Sequence, residues 1–247
     1  MTLIDIIILS NAQTEQLRQL TENALISLLD SEDPTKIRFN ILVIESAKAK
    51  PYNFPFCRTI YPTEVFGYHR YMNIGLSMTQ APLVCLCNND LIFHPGWASS
   101  IISAFDANPA LKSASPFCRF NHPERGFMAD SGIHPGYEVR GHVAGWCILL
   151  QREILRVTGP LEERLRFWYS DNDYAKTLEK HGIQHALVSS SKVDHLESQT
   201  LKTKSERERH QLTGDERYFF EYKWGSRSYF SYLNHKRKQF FKRKSIK

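Results

Sequence analysis

The chain of 247 residues is short of several things that would place it quickly. It has no long apolar run. Stretches such as Ile6–Leu9 and Val84–Cys87 fall far below the roughly 18 residues needed to span a membrane. The first residues lack the basic start, apolar middle and small-residue cleavage site of a secretory leader, so none is expected. Cysteine is scarce and odd in number, five in all, which argues against a disulfide framework. Cys85 and Cys87 have no second pair to complete a zinc site, so the thiols are expected to be small core residues in a reducing compartment. Glycine and basic residues are absent from Ser10–Leu17, just after the first apolar run, where a phosphate-cradling loop of a nucleotidyltransferase would put them.

Charge is present but uneven. The net charge is +6, yet residues 201–247 hold 14 Lys and Arg against 5 Asp and Glu. The tail is therefore +9 and residues 1–200 are −3. A basic tail on a slightly acidic body points to a separate partner for the tail and argues against nucleic-acid binding by the whole chain. The segment His235–Lys244 sets six Lys and Arg around two Phe, which suits an anionic membrane surface as well as a solvated charge run.

Patterning gives an α/β chain. Leu3–Leu9 and Phe39–Glu45 are branched apolar runs that suit strands buried on both faces. Between them Leu17, Leu20, Ala24, Leu25 and Leu28 recur at helical spacing, and Asp30–Pro34 ends that helix. Residues 46–61 read as a loop, Tyr71–Thr79 as a helix and Leu83–Leu86 as a third strand. Further on come a helix at Trp97–Phe105, irregular strands and loops over 109–141, and a strand at Gly145–Leu150. A helix at Arg152–Val157, another at Asp171–His181 closed by Gly182, and a short strand at Ala186–Val188 follow. Alternating strands and helices imply a doubly wound sheet, whose ligands bind beyond the carboxyl ends of the strands. The polar strand ends are Ser10-Asn11, Glu45-Ser46 and Asn88-Asn89-Asp90, all expected on one rim.

Three features bear chemistry. A carboxylate at a buried strand end, Asp90, is costly unless a cation or hydrogen bonds hold it, so it is either a turn cap or an oxygen ligand for Mg2+ or Mn2+. Asp171 and Asp173 stand at a helix start beside Trp168 and Tyr169. Capping explains one acid there, and a general base acting on a hydroxyl explains the other. His195, flanked by Asp194 and Glu197, is a weak signal taken alone.

The order of these elements resembles a GT-A glycosyltransferase of the large inverting class called family 2. The chain matches its apolar first strand (Ile6–Asn11), its second strand ending in an acid (Ile41–Glu45) and its G-x-x-x-x-x-N-x-G helix (Gly67–Gly75). Val84–Asp90 stands where the family has a strand ending in D-x-D. Pro95-Gly96-Trp97 matches a turn, and Gly159–Leu165 runs towards Ser170-Asp171-Asn172-Asp173 in place of E-D-x-D. Three positions depart from the pattern: Asn88 for the first Asp of D-x-D, Ser170 for Glu, and Lys176 for the usual helix cation in its R-x-x-x-x-G frame.

The resemblance implies a GT-A, Rossmann-like nucleotide-sugar-binding fold with a mostly parallel central sheet flanked by helices. Residues 1–200 would be the catalytic domain, with a nucleotide half over about 1–108 and an acceptor half over about 109–200. Residues 201–247 would be a basic, mainly helical extension. It implies a hexosyltransferase-type enzyme of glycan biosynthesis. A nucleotide-sugar donor, most often UDP-linked, would contact Ser10, Asn11, Glu45, Arg70, Asn73, Asn88, Asn89 and Asp90. Mn2+ or Mg2+ would be held by Asp90 and His195, and Asp171 would be the base of an inverting displacement. The acceptor, a glycan or a lipid-linked glycan, would meet Gly145, Trp146, Trp168, Tyr169 and Asp173. The expected location is cytoplasmic, either free or peripheral on the inner face of a membrane. The rival is a GT-A-like domain that binds sugar or nucleotide without transfer, which the changes at Asn88 and Ser170 make credible.

Overall fold

The computed structural model describes residues 1–49, 51–196 and 216–244, with side chains described as far as Lys238. The expectation for 201–215 lies outside the described residues.

The first half alternates as expected: β1 (Thr2–Ser10), α1 (Glu15–Leu29), β2 (Ile37–Glu45), β3 (Arg58–Ile60), α2 (Tyr68–Ser77) and β4 (Leu83–Asn88). Next come β5 (Leu91–Phe93), α3 (Trp97–Ala107), β6 (Leu111–Phe117), β7 (Ile133–Pro135), β8 (Cys147–Gln151), α4 (Leu155–Thr158), α5 (Ser170–Lys180) and β9 (Gln184–His195). Residues 216–223 are helical, and a last helix covers Tyr229–Lys244.

The sheet order is β3-β2-β1-β4-β8-β6-β9-β5, with β7 also on β9. Its first four strands are parallel. Antiparallel pairing enters where β8 joins β4 and recurs at β6–β8, β7–β9 and β5–β9. The sheet is thus mixed rather than parallel throughout.

The opening apolar run is buried on both faces. Ile4, Ile6 and Ile8 pack with Leu25 and Leu28 of α1 and Trp97 and Ile101 of α3. Ile7 and Leu9 pack with Tyr71 and Met72 of α2 and Tyr174 and Leu178 of α5. Asp5 interrupts this run yet is fully paired. It takes hydrogen bonds from Arg152 at 2.8 Å, Asn40 at 2.6 Å and the Ala81 amide at 2.6 Å. Thr14 caps α1 by accepting from the Leu17 amide.

Five strands are longer or better defined than the sequence led one to expect. β3 lies inside the presumed loop, and β5, β6 and β7 order segments read as irregular or unassigned. The piece at Ala186–Val188 is part of a twelve-residue strand that runs to His195. Its middle, Ser189-Ser190-Ser191, looks like a loop by composition. Ser189 and Ser191 are nevertheless buried, because their hydroxyls donate to the carbonyls of Gly132 and Trp97, each at 2.7 Å. The presumed helix at Arg152–Val157 is a 3-10 turn, Arg152–Ile154, continuing into α4.

Candidate active site

The strand register brings the polar strand ends to one rim. Ser10 lies opposite Glu45, and Leu9 lies opposite Asn88. Leu91 of β5 lies opposite His195 of β9, which sets Asp90 beside the imidazole. His195 Nε2 is 3.3 Å from Asp90 Oδ1. The contact is close enough for an ion pair but is not aligned as a hydrogen bond, so the buried Asp90 Oδ1 has no hydrogen-bond partner. Trp146 stacks flat on His195, with centroids 5.0 Å apart and planes 4° from parallel, and so sets the tilt of the ring.

Asp171, in the first turn of α5, lies near enough to His195 to feel its charge. Packing around the half-buried carboxyl shields it from water and raises its pKa above the ordinary carboxylate value. The charges of Arg140 and His195 pull the other way. Gly145, just before β8, makes the room. A Cβ there would fall on the Asp171 carboxylate, well inside contact distance of its carbon and both oxygens. The backbone is fixed at that point by Tyr68, whose hydroxyl donates to the Gly145 carbonyl at 2.9 Å. Gly145→Ala should therefore push the carboxylate aside. We expect a loss of transfer on the order of 10²-fold, the scale of a 1 Å misplacement, with donor binding retained. Steady-state rates beside calorimetric donor affinity check this, and wild-type turnover would reject the packing argument.

Seven buried side-chain polar atoms lack a hydrogen-bond partner among the described residues. Four of them, Asp90 Oδ1, Trp146 Nε1, Trp168 Nε1 and Ser170 Oγ, belong to the elements just described. Buried polar groups are normally paired, so this concentration fits a place where a ligand completes the bonding.

The donor set also fits a divalent cation. Among the described residues no three His, Cys, Asp or Glu side chains converge. The chain offers one carboxylate and one imidazole. Mg2+-type ions are often bound by one or two carboxylates, with phosphate oxygens and water filling the remaining positions.

The other expected donor contacts divide. Asn11 and Asn88 lie partly exposed on the rim. Glu45 is buried and holds the turn after β1, accepting from the Ala47 amide at 2.6 Å and the Ala12 amide at 3.1 Å. Ser10 and Asn89 both meet the Thr21 hydroxyl, at 3.0 and 2.8 Å. These three shape the floor of the rim from within.

Arg70 and Asn73 are not brought to the nucleotide edge. Arg70 Nε pairs with Glu163 at 3.1 Å. Asn73 donates to the Leu161 carbonyl at 2.9 Å and to Glu163 at 3.1 Å, and accepts from the Leu161 amide at 3.0 Å. They clamp α2 to the segment leading towards α5. Gly75 lets α2 sit close on the sheet, because a Cβ there would lie 2.5 Å from Ile7 Cγ2.

Asp173, expected to meet an acceptor, is likewise already engaged. It is buried, and both of its oxygens are held by Lys223 and Trp224. Tyr169 stacks on Phe220, with centroids 5.0 Å apart. Sequence reasoning missed these residues and Glu216, which binds the backbone ahead of α5. The signal was there: Phe219, Phe220, Lys223 and Trp224 recur at helical spacing within the basic tail.

By sequence, no family model and no curated protein matches the chain. By structure, it is similar to GalNAc-T7 with UDP, GalNAc and Mn2+. The TM-score is 0.62 at 10% identity, over 85% of this chain and 48% of that one. It is also similar to the mannosyltransferase PcManGT from Pyrobaculum calidifontis in complex with GDP-Man and Mn2+, with a TM-score of 0.61 at 12% identity over 91% and 64%. Residues 1–349 of S. aureus TarS give a TM-score of 0.58 at 12% identity over 78% and 59%. The chain thus spans between about half and two thirds of the length of these structures. At such identities the likeness is one of fold, and the fold is GT-A, as the order of motifs implies.

Proposed function

We propose that the chain is a metal-assisted glycosyltransferase. It would move a sugar from a nucleotide-diphosphate donor to a hydroxyl of a glycan or lipid-linked acceptor, with inversion. One arrangement carries this reading: Asp171, a carboxylate with a raised pKa for which Gly145 leaves room, lies near enough to His195 to feel its charge, and His195 Nε2 is 3.3 Å from the buried Asp90. The solved structures of this fold that hold UDP or GDP-Man together with Mn2+ support the donor class.

The rim formed by Asn11 and Asn88, over a floor fixed by Glu45, Ser10 and Asn89, would seat the nucleotide. Asp90 Oδ1 and His195 Nε2 would hold Mn2+ or Mg2+. When bound, the metal supplies positive charge against the departing diphosphate. Asp171 would take the proton of the acceptor hydroxyl. A single carboxylate acting on the face opposite the leaving group gives inversion. The half-buried Trp168 would present an aromatic face to the acceptor sugar, while the buried Trp146, stacked on His195, would act from behind that ring.

The test is a panel of UDP- and GDP-sugars with Mn2+, Mg2+ or EDTA, read by calorimetry and by product analysis. Metal-dependent donor binding with turnover to the inverted anomer is expected. Binding without any turnover would favour the non-catalytic alternative, and failure to bind any member would overturn the reading.

The last helix favours a lipid-linked acceptor. Tyr229, Phe230 and Leu233 are exposed, Phe230 by 78%, and Lys236 and Lys238 follow on the same helix. Apolar side chains with adjacent cations suit an anionic bilayer surface. At about 1 kcal/mol per basic residue, Lys236→Gln/Lys238→Gln should weaken binding to phosphatidylserine vesicles by roughly 30-fold. Vesicle sedimentation at low salt checks this, and equal binding by both proteins would reject the membrane role. Among the described residues no helix is long and apolar enough to cross a membrane.

A further inference from the structure

The base-bearing helix is gripped, on both sides of Asp171, by a segment that the charge pattern assigns to a separate tail. Three successive amides, those of Arg166, Phe167 and Trp168, donate to the Glu216 carboxylate at 3.1, 3.1 and 2.6 Å. Consecutive N–H groups turned to one point form an anion-binding concavity, and bonds to an ionised acceptor are roughly twice as strong as neutral ones. Glu216 is buried and fills that concavity.

Next in sequence is Tyr169, the N-cap of α5, whose backbone is left-handed with φ +61°. This conformation costs a non-glycine residue on the order of 1 kcal/mol or more, so it needs outside support. The stacked ring of Phe220 covers it. One turn into the helix, Asp173 receives Lys223 Nζ at 2.8 Å and Trp224 Nε1 at 2.9 Å. Residues 216–224 therefore fix the backbone before Asp171 and the side chain two positions after it. Ser170 stands where the family pattern has an acid, and its hydroxyl has no partner. The carboxylate that organises this turn arrives from Glu216 instead.

We propose that Glu216, with the strap 216–224 that it heads, is a positioning residue for Asp171. This rests on Asp171 being the base of the proposed transfer. A base must be held within about 0.5 Å of its working place. The turn that carries Asp171 begins in a left-handed residue, and the strap keeps it from relaxing. Part of the +9 extension thus serves the acceptor side of the catalytic domain.

The test compares the full chain with Glu216→Ala and Glu216→Gln, alone and combined with Asp171→Asn. Glu216→Ala should lower kcat by roughly 10²-fold, while the donor KM and metal-dependent nucleotide binding stay unchanged. Glu216→Gln keeps one acceptor oxygen and should recover part of the rate. In the Asp171→Asn background Glu216→Ala should cost nothing further, because it acts only through that carboxylate. A loss that adds in full to that of Asp171→Asn would overturn the proposal.

A second arm needs no substrate. Amide exchange over residues 166–173 should quicken about tenfold or more in Glu216→Ala, with β1, β2 and β4 unaffected. Unchanged exchange would overturn the proposal even if transfer is confirmed. If the parent chain binds no nucleotide sugar, the functional reading falls and the exchange arm still judges the strap. Should Glu216→Ala fail to fold, Trp224→Phe removes one bond to Asp173 and gives the same readouts at smaller size.

Discussion

Asp171→Asn is expected to transfer sugar about 10²–10⁴-fold more slowly than the parent chain, the usual contribution of a positioned general base. The amide keeps the volume of the carboxyl beside Gly145, so the packing survives. What it cannot do is accept the acceptor's proton. Donor affinity should hold, because the rim proposed to seat the nucleotide is built from other residues. Calorimetric donor affinity beside a transfer assay separates the outcomes. Near-normal transfer would remove Asp171 from the base role. Joint loss of donor binding and rate would make it a structural element of α5.

The same residue sets a pH dependence. Desolvation raises the Asp171 pKa above its ordinary value of 3.8, outweighing the opposing charges of Arg140 and His195. The base must be ionised to act. The acid limb of kcat/KM should therefore fall at a higher pH than for a solvent-exposed aspartate, and it should vanish in Asp171→Asn. Stability runs the other way. A carboxyl whose folded pKa is raised adds stability below its unfolded pKa and loses that contribution as pH rises through the folded value. At neutral pH the ionised group is a cost to the fold. Asp171→Asn should then have a Tm at pH 7 equal to or above the parent's, with the two converging in acid.

Legibility in the sequence followed the range of the interaction. Local patterns located β1, α1, β2, β4, α3 and α5, because apolar periodicity and caps are written within a few residues of each other. The same patterns placed Asp90, Asp171 and His195 at element ends, and the fold sets Asp90 beside His195. Strand direction was not legible, since a buried run such as Cys147–Leu150 reads alike in either sense, and β8 proved antiparallel. Nor were partners distant in the chain. Arg70 and Asn73 looked free to meet a nucleotide until Glu163, some 90 residues on, claimed them. Asp173 was claimed by Lys223 and Trp224 in the same way. Counting charge hid Glu216, since one buried acid in a basic segment scarcely alters a sum. β9 was hidden by serines whose burial depends on carbonyls from two other segments.

Asp90→Ala should have an effect of comparable size, for a different reason. Two protein atoms, Asp90 Oδ1 and His195 Nε2, stand 3.3 Å apart, one unbonded and buried and the other held by Trp146. Register between β5 and β9 fixes that spacing, so loss of one partner is not made good by movement of the other. A carboxylate gives a cation both charge and a hard oxygen, whereas the imidazole gives neither charge nor oxygen. Asp90→Ala is thus expected to abolish metal-stimulated nucleotide binding, and His195→Ala to weaken it. Metal assistance is worth several kcal/mol, so transfer should fall on the order of 10³-fold. EDTA should bring the parent chain to the level of Asp90→Ala and leave that variant unchanged. The fold should be kept, because apart from its contact with His195 the Asp90 Oδ1 atom takes no hydrogen bond that its loss would break. Mn2+ titration of nucleotide binding in both variants decides the matter. Full parent activity in excess EDTA, or an Asp90→Ala protein that still responds to Mn2+, would show that this pair does not hold the metal.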